Sequence, residues 1–383
     1  MNRVARIFLS LLCFLPTLAQ AAAPSNREEA RQALAVVLQE MAPGGQALSL
    51  GDPKMPDLLA KGWRLMGERG AAYLDAHPAA TAPELAKELA GLSADKAPWT
   101  FSTGVVRLNA EAFVVDSTFS TSKDAGATST FMVLAKSEGK WRLAWNVKEL
   151  AAAHFEKRDD LGRWAYLTSS GYGDGSLVGS VKALPSEKSG RPRFYVEAEA
   201  SGQGGTLPAQ VSIWAWTGKE AEMLAVGTYA RYVETPKAQL VGNVLEVPTK
   251  EETKTFFSCG MCPEPRGLWR FRMGPDKVED LGRRFVLPEV ELVDNLLDRI
   301  ARRAPATDLA APAVVEKLAA LFPEKDEERH FPFGMLGETK VSHAGVARRV
   351  VIDFDEGAFT FTLVERGGRP YFTAVETPPA AGK

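Results

Sequence analysis

The chain has 383 residues, of which 45% are hydrophobic and 25% charged, a balance that fits a folded protein and excludes a disordered or collagen-like one. Lysine and arginine together number 46 against 48 acids, a formal net charge of −2. That balance argues against a nucleic-acid partner, which would favour a concentrated basic surface, and the length predicts two or three domains.

At the N-terminus, Arg3 and Arg6 precede an apolar run from Ile7 to Leu18, and Ala19-Gln20-Ala21 follows as an A-x-A cleavage signal. The run is shorter than the roughly 20 residues that a membrane span needs. Residues 1–21 therefore read as a signal peptide of bacterial style cleaved after Ala21, with no transmembrane insertion afterwards and a periplasmic or secreted address. Cys13 leaves with the signal, and Leu12 before it argues against a lipoprotein site. Loss of Arg3 and Arg6 leaves 44 basic against 48 acidic residues, a net charge of −4.

Residues 22–150 read as an N-terminal α+β module. A helix is predicted in "SNREEARQALAVVLQEM", and another where Thr81 and Glu84 form a capping box around Pro83, with Leu85, Leu89 and Leu92 as its apolar stripe. Met132 and Leu134 then alternate with polar neighbours, "KSEGK" turns the chain, and Trp141, Leu143, Trp145 and Val147 share one side of a returning strand. The "STSK" at Ser120 to Lys123 matches S-x-x-K, but neither S-D-N nor K-T-G accompanies it, and it lies in a polar loop between strands. Asp159 and Asp160 fall in a charged linker, and "GYGDGS" from Gly171 lacks the lysine and helix of a phosphate loop.

Residues 161–284 change character. "RFYVEAEA", "AQVSIWAW", "MLAVGTYARYV", "VLEV", "KTFFS" and "LWRFRM" alternate with the strand period between Gly, Pro and Lys turns, which predicts an antiparallel sandwich or open barrel. Within it, Trp214 and Trp216 lie on one strand face about 7 Å apart. They are candidate stacking residues for a sugar ring, or half of a sandwich core, since Val211, Ile213 and Ala215 make the other face apolar.

Cys259 and Cys262 stand in "KTFFSCGMCPEP". A redox CxxC opens a helix whose N-terminus stabilises the thiolate, whereas here "PEPRG" makes a turn before the strand-like "LWRFRM". A zinc site would have to recruit from His77, His154, His330, His343 or distant acids. The oxidising compartment makes a disulfide across a hairpin tip the preferred reading, worth roughly 2 kcal/mol by loop closure. No metal and no cofactor is expected.

Residues 285–377 read as a second α+β module, opened by "PEVELVDNLLDRI" with Pro288 and two acids in its first turn, and 378–383 as a disordered tail. At an offset of 229 residues, "PELAKELAGL" from Pro83 falls on "PAVVEKLAAL" from Pro312, and Thr130 to Trp145 fall on Phe359 to Ala374 without a gap. That shared offset points to an internal duplication flanking the β-domain. In "DFDEG", Asp353, Asp355 and Glu356 are a candidate acidic site, although Asp355-Glu356-Gly357 also suits a turn between strands.

The expected fold class is thus α+β: two helix-plus-antiparallel-sheet modules around an all-β centre. No catalytic residue is assigned. The leading expectation is a non-enzymatic, exported binding or interaction protein of the bacterial envelope, with an unknown protein or envelope ligand as partner. A hydrolase using dispersed carboxylates, and a thiol–disulfide redox protein using Cys259 and Cys262, are the alternatives.

Overall fold

Asn26 begins the first described helix by accepting the Glu29 amide on its side-chain oxygen at 2.9 Å, satisfying one of the amides that a helix start leaves unpaired. The computed structural model describes residues 26–48, 52–93, 98–121, 127–146, 176–185, 190–201, 206–232, 237–251, 253–255, 266–275, 277–322, 336–355 and 357–378. In the first module α1 (Arg27–Glu40), α2 (Met55–Ala76) and α3 (Ala82–Ala90) precede strands β1 (Trp99–Asn109), β2 (Ala112–Thr121), β3 (Ala127–Ser137) and β4 (Lys140–Asn146). The strands form an antiparallel meander in chain order. The predicted capping box is present, with Thr81 N donating to Glu84 Oε2 at 2.7 Å and Glu84 N to Thr81 Oγ1 at 3.4 Å.

Three glycines let α2 lie close on this sheet. A methyl group at Gly62, Gly67 or Gly70 would stand 3.0 Å from Phe119, 2.9 Å from Leu143 or 2.8 Å from Leu134, respectively. Glycine is unfavourable inside helices by about 1 kcal/mol, so its use here follows from close approach, not propensity. Leu34, Leu38, Met66, Leu85 and Leu89 of the helices bury against Phe101, Phe113, Val115, Phe119, Met132 and Leu134 of the sheet.

The central sheet runs as a meander through β5 (Ser176–Leu184), β6 (Arg193–Ser201), β7 (Thr206–Trp216), β8 (Ala221–Tyr232), β10 (Val244–Lys250), β11 (Arg266–Met273) and β12 (Val278–Phe285), with β9 (Gln239–Val241) also on β10. It curls: Tyr195 and Ile213 from one half share a core with Leu245, Val247, Trp269 and Phe271 from the other. Arg193 fastens the curl by donating to the carbonyls of Gly274 and Pro275 in the β11–β12 turn. The opposite face of β5–β7 packs on the outer face of the first module's sheet, where Val114, Phe131 and Val133 meet Phe194, Val196, Trp214 and Trp216. Helices, sheet and second sheet therefore stack as layers, each hiding an apolar face from water.

The expected strand "KTFFS" is described only at Lys254 and Thr255, the rest lying outside the described residues; β10 ends at Lys250, and these two residues are not in a strand. The amides of Lys254 and Thr255 are taken instead by the Asp294 carboxylate, at 2.9 and 3.0 Å, so they are not free for a ladder.

Asp294 belongs to the second module, in α4 (Pro288–Ala301), which is followed by α5 (Pro312–Ala319) and by β13 (Leu336–Ala344), β14 (Ala347–Phe354), β15 (Gly357–Arg366) and β16 (Arg369–Glu376). These four strands are again an antiparallel meander under helices. The fold is α+β, and its two flanking modules agree in detail. The β3–β4 ladder shifts register between Val133 and Leu134, and the β15–β16 ladder between Thr362 and Leu363, the same place at an offset of 229 residues (Leu134 to Leu363). The tight turns agree too, with positive φ at Glu138 and Gly139 (52° and 80°) and at Gly367 and Gly368 (61° and 75°), as two-residue hairpin loops require.

Their outer faces differ. Phe131 and Val133, covered by the central sheet, correspond to Thr360 and Thr362, which are half-buried. On that face of the second module Lys340 pairs with Glu338 and Arg349 with Glu376.

Candidate functional site

On the inner face of the first module's sheet, Thr103, Ser117 and Thr130 are register neighbours across β1, β2 and β3. The strand period places them among apolar inner positions: Phe101 and Val105 flank Thr103, Val115 and Phe119 flank Ser117, and Met132 follows Thr130. Ser117 is fully buried and Thr130 is 5% exposed. The result is a row of three hydroxyls under α2, in a position where a core normally carries hydrocarbon.

Little in the protein satisfies these hydroxyls. Ser117 Oγ donates to Met66 Sδ at 3.5 Å, and a thioether is a weak acceptor. Among the described residues Thr103 Oγ1 and Thr130 Oγ1 have no partner, and neither has Trp63 Nε1, which stands one turn before Met66 on α2. The Trp63 ring lies 6.1 Å from that of Phe119, and Phe119 lies 5.8 Å from Phe101. Phe101 and Phe119 thus flank the row along the strands, Met66 reaches Ser117 from α2, and Trp63 packs on Phe119. Each buried polar atom left unpaired costs about 1–3 kcal/mol, an expense that the second module mostly avoids.

There, the equivalent row is Thr339, Ile352 and Phe359, again register neighbours across three strands. Ile352 and Phe359 are fully buried hydrocarbon. At the same sheet position the second module has buried hydrocarbon at two of the three places, Ile352 and Phe359, while its Thr339 Oγ1, like Thr103 Oγ1, has no hydrogen-bond partner among the described residues. The first module's row offers hydroxyl groups and contains no carboxylate, imidazole or amine.

Asp116, next to Ser117, points to the other face. Its Oδ1 accepts the Gly104 amide at 2.6 Å and its Oδ2 accepts the Val181 amide of β5 at 3.1 Å, joining the module to the central sheet. Burial raises its carboxyl above the usual Asp range, with the Val181 and Gly104 hydrogen bonds opposing. A raised native pKa gives a stabilising contribution that is complete below the unfolded-state value and is lost as pH rises through the native value. Melting wild type and Asp116→Asn side by side is expected to show their stability difference moving toward wild type as pH falls through the acid range; a pH-independent difference would exclude this linkage.

The residues singled out in the sequence do not converge here. Trp214 and Trp216 are 2% and 3% exposed in the core between the two sheets, with the Trp214 ring 5.2 Å from Phe131. That placement corrects the stacking reading: both strand faces are apolar, so burial between layers is what hides these rings from water. Asp353 lies on β14 and Asp355 in the β14–β15 turn, while Glu356 lies outside the described residues. Cys259 and Cys262 also lie outside them, in the connection between the paired strands β10 and β11. Among the described residues no three His, Cys, Asp or Glu side chains gather as a metal site, and no helix is long and apolar enough to cross a membrane.

No family model matches the sequence, and no curated protein matches it.

Proposed function

We propose that this chain is an exported, non-enzymatic binding protein of the bacterial envelope, built from two copies of one α+β module around a β-sheet scaffold, and that its first module holds the ligand. Export rests on Arg3, Arg6, the apolar run and Ala19-Gln20-Ala21, and duplication on the shared offset, bulge and turns. The observation that carries binding is the hydroxyl row Thr103–Ser117–Thr130 where the second module has Thr339–Ile352–Phe359. A core position that departs from the packing rule, at a cost in stability, is where function is expected.

The test is the double substitution Ser117→Ala with Thr130→Val, which deletes two hydroxyls with little change of shape. In the ligand-free protein it is expected to raise stability by about 1–2 kcal/mol, because apolar groups replace unsatisfied ones. Native mass spectrometry of wild type, incubated with a clarified envelope extract, is expected to show a non-covalent mass increment that the variant lacks. Wild type without an increment, or both proteins with the same one, would overturn the reading.

A further inference from the structure

We propose that two hairpin tips of the second module dock on a membrane surface that carries anionic lipid, an inference independent of the hydroxyl row. Both tips lie at one end of the sheet. β13 and β15 run the same way and Arg348 stands opposite Leu363, so the turns Gly345-Val346 and Gly367-Gly368 follow side by side. Ser342 to Val346 and Glu365 to Arg369 are all exposed. Val346, at 91%, is the most exposed large apolar side chain among the described residues. Turn chemistry does not ask for it: Gly345 supplies the positive φ of 63°, and small or polar residues are usual beside it. At the neighbouring tip Arg366 and Arg369 face each other directly in register, although like charges so placed are destabilising. Arg366 lies over the Tyr371 ring at 4.8 Å, which leaves its charge unneutralised. Asp308 lies near Arg369 but is already paired with Arg299 at 2.7 Å. The strand period sends Glu365, between these groups in sequence, to the opposite face from Arg366.

The first module shows that the fold needs neither feature. Its two matching turns are Ala110-Glu111 and Glu138-Gly139, and Ser137 faces Lys140 where Arg366 faces Arg369. One copy thus presents acids at its tips, and the other a bare valine beside two arginines. Two convex turns bury too little for a specific protein interface, which takes about 800 Å² from each partner. A bilayer interface needs no complementary shape: it accepts an apolar side chain among the headgroups and draws cations to the lipid phosphates. The chain as a whole has a formal net charge of −2 and so no general attraction to an anionic surface. Attachment is therefore local to this end of the second module.

Co-sedimentation of the mature protein with vesicles tests this, using phosphatidylcholine alone or mixed with an equal part of phosphatidylglycerol. Binding is expected to the mixed vesicles and not to the neutral ones, with release at about 1 M salt, where charges are screened beyond about 3 Å. Arg366→Gln with Arg369→Gln is expected to weaken binding roughly thirtyfold, the worth of two cations at about 1 kcal/mol each. Val346→Ser is expected to weaken it about tenfold, through the apolar area no longer buried. Lys140→Gln, at the equivalent tip of the first module, is expected to change nothing. All of these side chains are exposed, so each variant is expected to melt no lower than wild type. Equal binding to neutral vesicles, binding that survives all three tip substitutions, or no vesicle binding at all would overturn the proposal. In the last case, self-association in sedimentation velocity that is lost in Val346→Ser would assign the tips to a second copy of the chain. None of these outcomes bears on the hydroxyl row, which Ser117→Ala with Thr130→Val tests separately.

Discussion

Replacing Asp294 with alanine is expected to destabilise the protein by about 3 kcal/mol, one of the largest effects of any single substitution considered. The carboxylate is 3% exposed and accepts from Lys254 N, Thr255 N and Thr255 Oγ1, the last at 2.7 Å. Hydrogen bonds to a charged acceptor contribute about 1.5–3 kcal/mol each, and Thr255 is itself fully buried, so its donors would be left without water as well as without protein. Alanine is the better helix former by under about 1 kcal/mol, too little to reverse the sign. Urea unfolding would measure the loss. Asp294→Asn keeps one acceptor oxygen and is expected to fall between the two. A loss under about 0.5 kcal/mol for alanine would mean that solvent reaches these amides and that α4 does not hold the chain beyond β10.

Much of this architecture was legible in the sequence, because local chemistry and periodicity speak directly to it. Thr81 and Glu84 announced a helix start, Pro288 another, and the alternation in "AQVSIWAW" and "LWRFRM" announced strands that are β7 and β11. Strands with weak alternation were harder to see. β5, "SLVGSVKAL", carries a glycine and two serines, and its place is set by packing on the neighbouring sheet, where Asp116 takes its Val181 amide. At Lys254 and Thr255, the described start of "KTFFS", the opposite holds: strand-like composition is overridden by long-range bonds to Asp294, 40 and 39 residues away. No local pattern encodes such a partner.

The candidate site was half legible. The gapless alignment sets Thr130 on Phe359 as its first pair, so the exchange of a large apolar side chain for a hydroxyl stood in plain view. Its meaning needed Thr103 and Ser117, which the alignment did not cover. Only strand pairing brings them beside Thr130, and only side-chain placement shows that Thr103 Oγ1 and Thr130 Oγ1 lack partners among the described residues. Conversely Trp214 and Trp216 drew attention as aromatics, and burial turned them into packing.

Gly227→Ala is expected to cost about 3 kcal/mol, although strand propensity predicts the reverse, since alanine is favoured over glycine there by about 0.5–1 kcal/mol. A methyl group at this position of β8 would fall 1.5 Å from the six-membered ring of Trp269, whose side chain lies over the glycine from β11. The ring cannot readily move. Its Nε1 donates to Asp280 Oδ1 at 2.7 Å, the Arg283 guanidinium stands 4.3 Å from its centroid, and Phe271 packs 4.7 Å away. Accommodating the methyl breaks some of these contacts or splays β8 from β10, which are joined by few ladder pairs: Lys250 faces Ala230 and no other pairing between them is found among the described residues. Steric conflict is separable from any general intolerance at the site. In a Trp269→Leu background, itself less stable than wild type, Gly227→Ala is expected to be neutral or stabilising, and a double-mutant cycle by urea unfolding gives the coupling directly. Equal losses in both backgrounds would show that the glycine is required for its backbone and not for the indole above it.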